Sequence, residues 1–159
     1  MKLRCKIKNR NLLMSQLSKF FRLPFADKIL AAEAFLLLGW ARFAVLVLPF
    51  RWVAKFIGEQ KEFSEKEVEK ASTDSGIYRI RWAVRRISRF TPWRSNCLAK
   101  AIAGHFMLRR RGISSTLYFG MTKGAKGKYA AHAWLKSNGV ILTGGANLER
   151  YTILATFSH

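Results

Sequence analysis

Ser95-Asn96-Cys97-Leu98-Ala99-Lys100 decides how this chain reads. Ser95 or Asn96 can cap a helix, because a short polar side chain accepts hydrogen bonds from amides that a first turn leaves free. Cys97 then falls at the first or second helical position. The amides and the helix dipole there favour the thiolate, the nucleophilic form of the side chain. A free cysteine is otherwise a small buried hydrophobe, and this stretch alone supports both readings equally. The helix is expected to run to Arg111. Arg109, Arg110 and Arg111 would fill its last turn, where cations suit the dipole, and Gly112 would end it.

Beyond Gly112 the hydrophobic period changes from helical to two. Residues 115–121 read as a strand, and 123–128 as a basic, glycine-rich loop. The run Ala130-Ala131-His132-Ala133-Trp134-Leu135 lies in a second strand over 129–136. Ser137-Asn138-Gly139 is a tight turn into a returning strand over 140–143, and 151–157 form the last strand. His132 could be a core histidine bonded to a carbonyl. Its order after Cys97, strand after helix, is what a nucleophile–base pair requires. The sulfur and imidazole are then expected within about 3–4.5 Å of each other. His105 follows Cys97 by eight residues, about 12 Å along one helix, and His159 is terminal.

Upstream, the periodicity predicts a helix over 26–48, with Ile29, Leu30, Ala34, Leu37, Leu38, Ala41, Val45 and Leu48 as its apolar set. Pro49 ends it. A short helix follows over 50–57, with Gly58 as its stop. Residues 59–69, EQKEFSEKEVE, hold five of the nine acidic residues and read as a solvated linker. A third helix spans 74–89, apolar at Ile77, Ile80, Val84 and Ile87, with Arg79, Arg85, Arg86 and Arg89 on its other face. Helices first and an antiparallel sheet after make an α+β layout. Residues 1–14 are expected to be a disordered basic tail, with Met14 as an alternative start. Residues 15–72 form a helical region plus linker, and 73–159 the core that carries the site.

The composition narrows the partners. Lys and Arg number 29 against 9 Asp and Glu, a formal charge of +20, so an acidic partner is expected. Only Cys5 and Cys97 are present, which excludes a disulfide-stapled secreted module and points to a reducing, cytoplasmic setting. Residues 31–50 are the most hydrophobic, but Glu33, Arg42 and Pro49 interrupt them. A buried or interfacial helix is expected there rather than a span. Nucleic-acid binding is a rival reading, because Arg79, Arg85, Arg86 and Arg89 and a loop with Lys123, Lys126 and Lys128 could hold phosphates. No nucleic-acid motif accompanies them, and the basic residues are spread over the chain. A membrane-surface contact built on 15–57, with Trp40 or Trp52 at the interface, is compatible with catalysis. No metal cluster or phosphate-binding glycine motif is present, so no metal or cofactor is expected.

The runs CLAKAIAGHFMLRRRGISSTLYFGM, AAHAWLKSNGVILTGG and YTILATF resemble the C-terminal half of the lasso-peptide B2 proteins. LPFRWVAKFIG resembles part of their N-terminal half, so the resemblance covers roughly residues 15–157. It implies a transglutaminase-like, papain-related cysteine-peptidase core. It also implies removal of the leader from a ribosomally made precursor, before a separate cyclase closes the macrolactam. No winged leader-recognition domain fits ahead of the helices, so the resemblance implies the split form with a separate recognition protein. The family's triad is Cys–His–Asp. Here the hairpin count puts Gly144 or Gly145 opposite His132, and Glu149 is the only later acid. An amide or hydroxyl can also orient an imidazole. Thr143 and Asn147 are the nearest candidates, though each also reads as a turn residue. The amide of Cys97, with Trp93 or Asn96, would supply the oxyanion donors. Hydrolysis and acyl transfer to an amine are not separable at this level.

Overall fold

The computed structural model describes residues 24–57, 59–61, 75–123 and 129–158. The expected tail, Cys5, most of the acidic stretch and the loop lysines Lys126 and Lys128 lie outside the described residues. Among the described residues, four helices precede most of the sheet: α1 (Phe25–Val47), α2 (Phe50–Ile57), α3 (Ser75–Ile87) and α4 (Cys97–Arg109). Strand β1 (Glu59–Lys61) lies between α2 and α3. After α4 come β2 (Thr116–Lys123), β3 (Tyr129–Ser137), β4 (Val140–Thr143), a 3-10 turn (Leu148–Arg150) and β5 (Thr152–Ser158). This is the α+β arrangement expected.

α1 begins after Pro24, carries Asp27 in its first turn, and ends where Leu48 turns extended ahead of Pro49. It buries Leu30, Ala31, Ala34, Leu38, Ala41 and Ala44. The alanines let other backbones come close. Ile29 was expected inside; it is 53% exposed, because α1 meets the other helices along a narrower stripe than its apolar content suggests. α3 buries Ile77, Ile80, Ala83, Val84 and Ile87, which leaves its arginines on the outer side.

α4 is the central helix. Eight of its thirteen residues are buried, so no amphipathic stripe marks it. It ends as glycine would have it: Gly112 adopts φ +66°, its N–H donates to Arg109 O, and the Ile113 N–H donates to Leu108 O. That pair of bonds caps the last carbonyls. His105, fully buried, ties α4 to its surroundings: Nε2 lies 2.7 Å from the Ile57 carbonyl and Nδ1 2.9 Å from the Ser115 hydroxyl. A carbonyl only accepts, so the ring proton is on Nε2 and Ser115 donates to Nδ1.

The sheet is antiparallel throughout, in the order β1-β5-β2-β3-β4. Glu59–Lys61, expected in a linker, instead pairs with Thr156–Ser158 of β5. The pairing is made by backbone atoms against an otherwise free edge, which side-chain composition does not announce. Asn138 (φ 45°) and Gly139 (φ 78°) form the β3–β4 turn, the left-handed pair that suits a two-residue hairpin. Leu117, Ala133, Leu135, Leu142 and Phe157 turn one sheet face into the core shared with all four helices. Leu135 reaches so close to α4 that a Cβ on Gly104 would lie 2.8 Å from its Cδ2.

Candidate active site

Cys97 is the first residue of α4. Asn96 caps the helix: its Oδ1 accepts from the Ala99 N–H at 3.0 Å, and its carbonyl from the Lys100 N–H at 3.2 Å. The amides of Cys97 and Leu98 have no intrahelical acceptor and point out of the helix end, beside the thiol. Cys97 is a free thiol, half-buried against the core. The approach to the helix is braced by Thr91, whose Oγ1 lies 2.9 Å from Ser95 Oγ and donates to Trp93 O at 3.0 Å. Trp93 packs against Phe35 and Gly39 of α1, and its buried indole N–H has no partner. It remains a donor without an assignment, while the oxygen of Asn96 is committed to the cap.

His132 sits on β3 opposite Gly120 of β2. Its ring lies 4.9 Å from that of Tyr151 and 6.2 Å from that of Trp134. Tyr118 stacks on Trp134 at 5.3 Å. Gly120 makes room for this cluster, because a Cβ there would meet the Trp134 ring at 2.8 Å and Tyr151 Cβ at 3.0 Å. His132 Nε2 lies 2.8 Å from the Gly144 carbonyl. The imidazole must donate that bond, so the neutral ring carries its proton on Nε2 and keeps a lone pair on Nδ1. Nδ1 is therefore the nitrogen that can act as a base.

Neither Thr143 nor Asn147 orients His132. The Thr143 hydroxyl is buried without a partner, and Asn147 is exposed at φ 53° with no side-chain cap bond. The pairing of β4 shifts register between Leu135 and Lys136, so Thr143 lies opposite Leu135 rather than nearer His132. The chain then turns at Gly144 (φ +72°) and brings a main-chain carbonyl, not a side chain, to the imidazole. A Cβ on Gly144 would stand 2.5 Å from the Ala133 carbonyl. The count along the hairpin located this glycine; its role was missed because a backbone oxygen carries no residue-type signal. Glu149 is exposed in the 3-10 turn.

α4 meets the β2–β3 pair through Gly104 and His105. Ser115, bonded to His105 late in α4, leads into Thr116, which pairs with Lys136. Gly104 lies over Leu135. Cys97 precedes Gly104 by seven residues, about 10 Å of helix, and His132 precedes Leu135 by three, about 10 Å of strand. Across the sheet they differ. Leu135 faces α4, so by alternation His132 and Trp134 project from the opposite face. No hydrogen bond joins the thiol to the imidazole, and the expected close contact is not made. β4 pairs only with Leu135–Ser137, so beside His132 that edge of β3 has no β4 partner.

Among the described residues, no three of His, Cys, Asp and Glu come together to hold a metal. α1 is the one described helix long and apolar enough to cross a membrane, by length and composition. No curated protein and no solved structure matches the chain. A family profile for the transglutaminase-like superfamily matches residues 44–156, well over half the chain and inclusive of Cys97, His132 and Gly144. The fold is one used by Cys–His peptidases and acyltransferases, and the chain belongs to the transglutaminase-like superfamily.

Proposed function

We propose that the protein is a cysteine endopeptidase that removes the leader from a ribosomally made lasso-peptide precursor. The observation that carries the chemistry is His132: Nε2 bonded to Gly144 O leaves Nδ1 as a base, while Cys97 starts a capped helix. In the reaction the Cys97 thiolate attacks the carbonyl at the leader–core junction. The proton from the thiol goes to His132 Nδ1 and then to the departing amine. Water, giving its proton back to Nδ1, hydrolyses the thioester. The proposed proton transfer requires the thiol and the imidazole, which belong to different sides of β3 in the structure, to come together when substrate is bound, as catalytic contacts often tighten only in the complex.

The leader assignment rests on the sequence resemblance. It brings a separate leader-recognition protein as partner, the precursor as substrate, and a macrolactam cyclase as the next enzyme. The cationic helical region is the proposed contact for the recognition protein. On α3, Tyr78, Trp82, Arg85 and Arg86, with Arg89 just beyond the helix, line a shallow groove. The proposed location is the cytoplasm. The test is to incubate the protein with its precursor, with and without the recognition protein, and weigh the products. A free leader and a core with a new amino terminus are expected. An added amine that appears in the leader product instead of water would identify an acyltransferase. An intact precursor under all conditions would reject the proposal.

A further inference from the structure

None of the fully exposed residues of α1 is charged. Phe25, Ile29, Leu36, Trp40, Phe43 and Val47 step round the helix by three, four or seven residues, and each is exposed, Phe25 to 77% and Leu36 to 70%. Every other exposed position of α1 is also apolar. The four charged residues of the helix, Asp27, Lys28, Glu33 and Arg42, are all half-buried. Its two acids are held by the protein: Asp27 by Arg79 at 2.6 Å, and Glu33 by Arg111 at 2.6 Å and Arg110 at 3.4 Å. With 23 residues the face is about 34 Å long. On α2, Trp52 is 54% exposed as well. Side chains of roughly 150–250 Å² each, about half exposed, present on the order of 1,000 Å² of apolar surface. The largest apolar patch on an ordinary monomer is about 300–600 Å².

We propose that α1 seats the protein on an anionic lipid surface, with its outer face in the bilayer and its inner face still in the protein core. Charge selects this occupant over the others. Two copies packed through α1 would bring two +20 molecules together and repel, whereas an anionic leaflet attracts them. An acidic protein would need charged groups across the face to pair with, and the fully exposed positions of α1 are all apolar. Arg110 and Arg111, which hold Glu33 one heptad before Trp40 at the border of the face, keep 67% and 34% of their side chains exposed, placed to meet headgroups. Trp40 and Trp52 suit the boundary between chains and headgroups. The helix does not leave the protein to span, because Ala34, Leu38 and Ala41 are fully buried against the other helices.

The experiment uses the full chain and two kinds of vesicle, phosphatidylcholine alone and with about a third phosphatidylglycerol. Flotation is expected with the anionic vesicles, at least tenfold weaker with neutral ones or at about 0.5 M salt. Brominated acyl chains should quench the tryptophan fluorescence, and Trp40→Phe/Trp52→Phe should remove that quenching. Leu36→Glu/Phe43→Glu should lose flotation at least tenfold with an unchanged far-UV circular dichroism spectrum. If that variant does not fold, the quenching experiment on the unsubstituted chain still decides. Flotation without quenching, or undiminished in a folded Leu36→Glu/Phe43→Glu variant, overturns the proposal. So does a lipid-free dimer that this variant dissolves, or resistance to alkaline carbonate extraction, which marks a span.

Discussion

At the scale of single residues, the chemistry depends on where one proton sits. Gly144 O fixes it on His132 Nε2, a task that a carboxylate or amide performs in related arrangements. Cys97→Ala and Cys97→Ser are expected to abolish leader removal with the fold intact, since a small half-buried residue at a helix start costs little on replacement. Product masses and a thermal melt check both halves of that statement. Gly144→Ala places a Cβ against the Ala133 carbonyl at a positive φ, so the turn must shift and take its carbonyl with it. Turnover should fall by at least tenfold while the melting temperature drops modestly. Unchanged turnover would show that the imidazole does not need this carbonyl. Asn96→Ala removes the cap bond to Ala99 and should cost about 1 kcal/mol by chemical denaturation.

At the scale of elements, α4 and the strands around it were legible to different degrees. The β3–β4 turn could be read residue by residue, because Asn138-Gly139 is a pair that only a left-handed turn favours. The start of α4 could be read from Asn96. β1 could not, since a strand of three polar residues carries no hydrophobic alternation to mark its pairing. The register shift at Leu135/Lys136 was equally silent, and it moved Thr143 away from the assigned role. His105 was set aside as a base on its distance along the helix, and the structure gives it a structural task, joining α2, α4 and the entry to β2. His105→Ala leaves the Ile57 carbonyl and the Ser115 hydroxyl buried without their partner and opens a void. A loss of about 2–4 kcal/mol is expected in urea unfolding. A value under about 1 kcal/mol would mean that water replaces the ring.

At the scale of the whole molecule, one core joins residues from Leu30 to Phe157, so the helices and the sheet share it. The +20 charge acts beyond contact distance and mostly raises association rates. If the recognition protein docks on the cationic helices, cleavage with that partner should slow as salt rises from about 0.05 to 0.5 M, where the screening length falls from roughly 14 to 4 Å. Cleavage rate against partner concentration at the two salts tests this. A rate independent of both partner and salt would mean that this chain reads its own substrate.

The sequence by itself determined the helix and strand succession, the cap before Cys97, the hairpin turn and the charge, because each rests on the preference of a residue for a local backbone state or on a simple count. Only the tertiary structure decided which strand covers the edge of β5, which oxygen holds His132, and on which side of β3 the imidazole stands. It also showed which apolar residues of α1 remain outside. Those outcomes depend on backbone groups and on faces that meet across long separations, and neither leaves a mark in the local order of residues.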